Sequence, residues 1–292
     1  MKALEAYHPA VSAVYFLAVA GIAMFCMNPI LQALSLFGAL LLFLSNSRNR
    51  SVSSHAGFLL LFLLFALLNP LFSHNGATVL FVLNNNPVTL ESAVYGLVAA
   101  GMILAVLYWF RSFTQIMTSD KLLYLFGKLS PKLSLILSMG LRYVPLFQSQ
   151  VKKIRATQTA LGLYKEDNLI DRVRGELRVF SITVTWALEN GITTADSMEA
   201  RGYGIGKRSH FSLFRFRLRD GIFLAITLVL FGLACVSICT GALEFTCYPT
   251  LQWAAASPTG AVGYLAYGGL VLMPAVLETE ERIKWKYLRS SI

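Results

Sequence analysis

The residues that usually carry catalysis are few in this chain and poorly placed for it. The histidines, His8, His55, His74 and His210, are scattered and never stand at metal-ligand spacing. Cys235 and Cys239 are four apart, so on a helix they share a face, where small apolar packing is the ordinary role. Cys247 follows near Cys239, but two such residues make no disulfide framework. No G-x-x-x-x-G-K-[ST] phosphate loop, H-E-x-x-H or G-x-S-x-G occurs. The chain is therefore not expected to hydrolyse ATP unaided, and no catalytic residue, metal ligand or cofactor is expected.

One polar stretch stands apart, Thr193–Gly204 (TTADSMEARGYG). It reads as a short helix. Asn190-Gly191 would close the helix before it. Thr193 would cap the new one, with Asp196 three residues on. Gly202, Gly204 and Gly206 would end it. Arg201 then sits at an exposed last turn between Ala200 and Gly202. The plain role of such an arginine is to answer the helix dipole. Its small neighbours also leave a guanidinium that another surface can approach closely and grip bidentately.

The elements that would hold this stretch are those of a membrane protein. Hydrophobic residues make up 56% of 292 positions and charged residues 14%, with a mean hydropathy of +0.61. Soluble domains carry about 25% charged residues. Six apolar runs are expected to span: Val11–Met27, Ile30–Leu44, Ala56–Phe72, Ser92–Phe110, Gly221–Leu243 and Pro258–Leu277. The N-terminus lacks a cleavable signal pattern, because Asn28-Pro29 and a second apolar run follow the first. Glu91 opens the fourth span and Asp220 caps the fifth. The segments 73–90 and 244–257 read as loops.

Charge sets the expected topology. Residues 111–219 hold 18 Lys+Arg and 8 Asp+Glu, a surplus equal to the net +10 of the whole chain. A basic nucleic-acid domain would need aromatic interleaving or a recognisable binding fold, and neither is present, so no nucleic acid is expected. With six spans, Lys2, the Arg48/Arg50 loop, residues 111–219 and the tail all face the cytoplasm. The expected organisation is 1–112 with four spans, 113–219 as an interfacial and cytoplasmic unit, and 220–292 with two spans and a basic tail. Within the middle unit, Asp120–Leu129 is amphipathic, with Lys121 and Lys128 on its polar side. Residues 131–149 should lie at the inner interface rather than cross. Val151–Leu163 and Leu169–Glu189 are drafted as further helices. In the second, Val173, Leu177, Phe180, Val184 and Leu188 recur at helical spacing.

These residues resemble the transmembrane coupling (T) component of energy-coupling factor transporters, a branch of the ATP-binding-cassette importers. Ala195–Gly204 (ADSMEARGYG) is similar to the family's second Ala-Arg-Gly signature. Supporting matches are Tyr7-His8-Pro9, Asn69–Gly76 (NPLFSHNG), Glu91–Gly96 (ESAVYG), Tyr124–Pro131 (YLFGKLSP) and Leu137–Pro145 (LSMGLRYVP). The resemblance implies an all-α membrane protein with about six transmembrane helices and amphipathic cytoplasmic coupling helices. It implies a non-catalytic subunit of the cell membrane with both termini cytoplasmic. Its implied partners are the lipid bilayer, two ABC-type ATPase subunits and a small membrane substrate-binding S component, for uptake of a vitamin or other micronutrient. Each signature would dock in an ATPase groove where its arginine meets acidic residues. Ala200, Arg201 and Gly202 form one; the other falls at Ala160, Leu161 and Gly162, where leucine replaces the family's arginine. That contact is expected to be weaker or more apolar, with Lys152, Lys153 and Arg155 on the same helix. The alternative is a self-contained channel or secondary carrier with a cytoplasmic regulatory unit. A membrane-embedded enzyme is a third reading, disfavoured by the missing catalytic sets.

Overall fold

The computed structural model describes residues 3–46, 52–73, 76–83, 86–163, 168–206, 214–255 and 257–290. Lys2, the Arg48/Arg50 loop, His74-Asn75, Asn84-Asn85 and His210 lie outside the described residues. The chain forms two compact units, Met1–Leu122 with Phe214–Ile292, and Leu123–Leu213.

The first unit is a helical bundle of α1 (Pro9–Phe25), α2 (Pro29–Asn46), α3 (Val52–Phe72), α4 (Leu90–Ile116), α8 (Leu218–Cys239) and α9 (Pro258–Ser290). Two small antiparallel hairpins accompany it, β1 (Val79–Leu83) with β2 (Asn86–Thr89), and β3 (Phe245–Thr246) with β4 (Gln252–Trp253). The protein is an all-α membrane protein in class. Helices α3, α4, α8 and α9 are long and apolar enough to cross a membrane, whereas α1 and α2 are apolar but shorter. The two expected loops contain the hairpins instead. The β-branched and aromatic run from Val79 to Leu83 explains the first, paired in register Val79 with Thr89 and Val82 with Pro87.

In lipid every backbone polar group needs an internal partner, and polar side chains at the helix ends supply them. The carboxylate of Asp220 accepts the N–H of His8 at 3.1 Å and of Arg217 at 2.8 Å. It thus closes the start of α8 from that helix's first turn, rather than from the cap position, and ties it to the start of α1. Asn28 accepts the Ile30 N–H at 2.9 Å and donates to the Leu243 carbonyl at 3.0 Å and the Tyr264 hydroxyl at 2.7 Å. Gln32 donates to the carbonyls of Ala23 and Cys26, both at 2.7 Å, where α1 ends. Buried Glu91 accepts the N–H and hydroxyl of Thr78, fixing the first hairpin to α4. The core is aromatic: Tyr15, Phe16, Trp109 and Phe223 meet mostly edge-on. Trp109 donates to Ser35 at 3.0 Å, and Tyr15 to the Leu270 carbonyl at 3.1 Å.

Lys121 departs from the expected polar face. It lies on α5 (Ser119–Leu129) but is buried, donating to the carbonyls of Glu5 at 2.9 Å and Ile116 at 3.2 Å. Its ammonium answers the C-terminal dipole of α4. Burial pulls its pKa below the ordinary lysine value, with the Glu5 carboxylate opposing that shift.

Small residues set the closest helix contacts. A Cβ added at Gly38 on α2 would lie 1.9 Å from Val271 Cγ1 on α9, and one at Gly263 on α9 would lie 2.6 Å from Ser237 Cβ on α8. Gly263 of the Gly/Ala-rich last span therefore serves packing. Gly38→Val should lower the thermal midpoint in detergent, with a cost of about 1–3 kcal/mol from overpacking. Gly101→Ala, which would meet nothing within 4 Å, should not lower it.

Candidate functional site

The second unit is dominated by α6 (Pro131–Ala160) and α7 (Leu169–Ala200). Both are longer than the sequence suggests. The expected helices 131–149 and 151–163 are one, with Pro145 inside it. The residues around Pro145 pack across α7 and carry the helix past the missing N–H: Tyr143 stacks on Phe147, and Phe147 meets Trp186 edge-on at 5.8 Å. Ser130 stands at the N-cap with Pro131 in the first turn, but its hydroxyl makes no cap bond.

Likewise Asn190-Gly191 does not close a helix, and Thr193 is not a cap. Helix α7 runs through both to Ala200. The hydroxyls of Thr193 and Thr194 donate backwards to the carbonyls of Glu189 at 2.8 Å and Asn190 at 2.7 Å, as threonines inside a helix do. An interior glycine costs only about 1 kcal/mol relative to alanine, too little to end a long helix.

The two helices pack antiparallel. Tyr143 and Thr194 hydroxyls are 2.8 Å apart, Ile154 packs on Val179, and Arg155 pairs with Glu176 at 2.6 Å. That ion pair is about half exposed and adds little stability. The seam on α7 is narrow and small: its buried residues are Gly175, Val179 and Thr183, spaced by four. The wider apolar stripe of α7 is elsewhere and uncovered. Leu169 is 80% exposed and Phe180 67%, and Val173, Leu177 and Leu188 are exposed with them.

Each helix ends in the same way. At α6 the N–H of Leu161 bonds Thr157, Gly162 bonds Thr159 and Leu163 bonds Gln158, all at 3.0 Å. At α7 the N–H of Arg201 bonds Ser197 at 3.3 Å, Gly202 bonds Glu199 at 2.9 Å and Tyr203 bonds Met198 at 3.0 Å. Both are Schellman endings. Leu161 has φ −80° and ψ 0°, and Arg201 has φ −82° and ψ 5°. Gly162 follows at φ 69° and Gly202 at φ 79°, a conformation that favours glycine. The capping backbone conformation is open to either side chain, so leucine for arginine changes the chemistry and not the fold. Ala160, Leu161, Gly162, Ala200 and Arg201 are exposed, and Gly202 is half-buried.

Because the pair is antiparallel, the two endings lie at opposite ends of it. Counting from the Tyr143–Thr194 contact at about 1.5 Å per residue puts them roughly 35 Å apart. Beside the Arg201 ending lies a groove of ≈ 460 Å³, lined by Leu135, Met139, Tyr143, Met198 and Tyr203 among others. Among the described residues no cluster of histidine, cysteine and acidic side chains is placed to hold a metal. What the arrangement offers is two exposed, hydrogen-bonded helix ends and an apolar stripe between them.

The CbiQ family model, described as a cobalt transport protein, matches residues 3–213, which take in both endings. This chain belongs to the CbiQ family. The resemblance to the energy-coupling factor T component therefore holds. Its relatives include proteins named energy-coupling factor transporter transmembrane protein EcfT. That of Listeria innocua is 34% identical over 104 residues, 35% of this chain and 39% of the relative. That of Streptococcus equi is 29% identical over 101 residues, 34% of this chain and 38% of the relative. That of Brevibacillus brevis is 30% identical over 101 residues, with the same coverage of 34% and 38%. This chain thus spans under two fifths of the length of the curated relatives it matches.

Two glycine substitutions should act with opposite signs. Gly191→Ala, inside continuous α7 with nothing within 4 Å of the new Cβ, should stabilise the unit by up to about 1 kcal/mol. Gly202→Ala forces a left-handed alanine and should cost about 1–2 kcal/mol locally. Hydrogen exchange would read the second as faster opening of the Arg201 and Tyr203 amides.

Proposed function

We propose that this chain is the membrane coupling subunit of an energy-coupling factor importer. Two ABC-type ATPase subunits dock from the cytoplasm, one on each helix ending. Ala200, Arg201 and Gly202 enter one groove, and Ala160, Leu161 and Gly162 the other. A small substrate-binding membrane protein packs on the uncovered stripe of α7 and selects the vitamin or other micronutrient. ATP hydrolysis belongs to the docked subunits. The N- and C-termini lie in the cytoplasm of a cell-membrane protein, a reading supported by the excess of Lys and Arg in residues 111–219 and the tail.

The mechanism follows from the shape of the pair. A narrow seam at Gly175, Val179 and Thr183 resists a change of crossing angle less than a broad one would. When the ATPases close on ATP they draw the two endings together. The helices then turn about the seam, and the exposed stripe presents a different surface to the membrane partner. The observation that carries this reading is the pair of matching endings, exposed at opposite ends of one antiparallel helix pair, in a chain of this family.

Arg201→Glu should abolish recovery of an ATPase with tagged protein from native membranes. It removes a charge-assisted pair and adds repulsion, on the order of 2–5 kcal/mol. Arg201→Lys keeps the charge without the planar fork and should be intermediate. Undiminished recovery with the glutamate variant would remove Arg201 from the docking role.

A further inference from the structure

Two buried charged side chains in the first unit make bonds that their own helices do not need. The chain leaves this unit after Leu122 and returns to it at Phe214. Just before the exit, Lys121 answers the end of α4 through the Ile116 carbonyl at 3.2 Å, and its ammonium also donates to the Glu5 carbonyl at 2.9 Å. Soon after the return, Asp220 closes the start of α8 through the Arg217 N–H at 2.8 Å, and its carboxylate also accepts the His8 N–H at 3.1 Å. Both second bonds end on one short segment. Within it Leu4 is fully buried, Tyr7 packs on Phe223 with ring centres 5.0 Å apart, and His8 meets Phe216 edge-on at 5.5 Å. Residues 4–8 therefore hold the chain where it leaves the first unit and where it comes back, and α1 starts directly after them at Pro9. Each of the two bonds is charge-assisted, and stranding either buried group without its partner is costly. An anchor of this kind passes a displacement on, where a hydrated loop would absorb it.

We propose that residues 4–8 carry movement of α6 and α7 into the membrane bundle, with Lys121 and Asp220 as positioning residues that tie the two connections to the start of α1. The proposal rests on the coupling reading and names where ATP-driven movement enters the bundle. Local capping of α4 and α8 alone would leave this segment indifferent to nucleotide.

The test is hydrogen exchange, resolved to single amides by mass spectrometry, on the full chain with its co-purifying ATPase subunits, with and without ATP. The reporters are the amides of Leu4 to His8 in the segment, and those of Arg201 and Tyr203 in the second unit. ATP should change exchange at His8 by about threefold or more. Lys121→Met, which keeps most of the side-chain length and removes its donors, should abolish most of that response. ATPase recovery and the response at Arg201 should be unaffected. Asp220→Asn, which keeps one acceptor, should act in the same direction. A purely structural role for Lys121 and Asp220 would raise exchange equally with and without ATP; a full ATP response in both variants would overturn the proposal. So would a wild-type complex in which Arg201 and Tyr203 respond to ATP and residues 4–8 do not, a result that leaves the coupling reading intact and needs no variant to fold. No response at either place would overturn the coupling reading and the proposal with it.

Discussion

Ile154 on α6 and Val179 on α7 meet in a narrow seam flanked by Val151, with Gly175 and Thr183 extending it along α7. Small residues there let the two backbones come close, and the closeness leaves the larger side chains of α7 pointing elsewhere. Leu169, Leu177, Phe180 and Leu188 are therefore exposed although a helix of this length would ordinarily bury them. A contiguous apolar surface of this kind marks a place for another protein or for lipid. Gly162 and Gly202 end the two helices, and the antiparallel pairing sets those Schellman endings far apart.

The bundle of α1–α4, α8 and α9 solves a different problem. Its buried polar groups are placed mainly where helices start or stop. Asp220 satisfies the N–H groups of His8 and Arg217, and Gln32 takes the last carbonyls of α1. The Asp220–His8 bond joins segments 212 residues apart, and Asn28 reaches Leu243, 215 residues away, which makes the bundle specific as well as apolar. Glycines at helix contacts tighten it further.

Much of this was legible from residue types. The apolar runs gave the helices of the bundle, and Gly162 and Gly202 gave the two helix ends, because few other residues accept a positive φ. The helix interiors were harder. Gly191 and Pro145 read as breaks, but the cost of about 1 kcal/mol for the glycine and about 3 for the proline is offset by the packing of Tyr143, Phe147 and Trp186 across both helices. Lys121 read as solvated because its charge is local information, while the Glu5 carbonyl that receives it lies 116 residues away. The stripe on α7 was visible as a period. That it would be uncovered was not, since periodicity reports a face without saying what meets it.

The coupling role is tested most directly by the distance between the two endings. Spin labels at positions 163 and 203, in a variant with Cys26, Cys235, Cys239 and Cys247 replaced, would report it by pulsed dipolar spectroscopy in the assembled complex. The distance should shorten when ATP binds and recover after hydrolysis. A distance unchanged by ATP would contradict the coupling role, and would leave α6 and α7 as a fixed mount rather than a moving link.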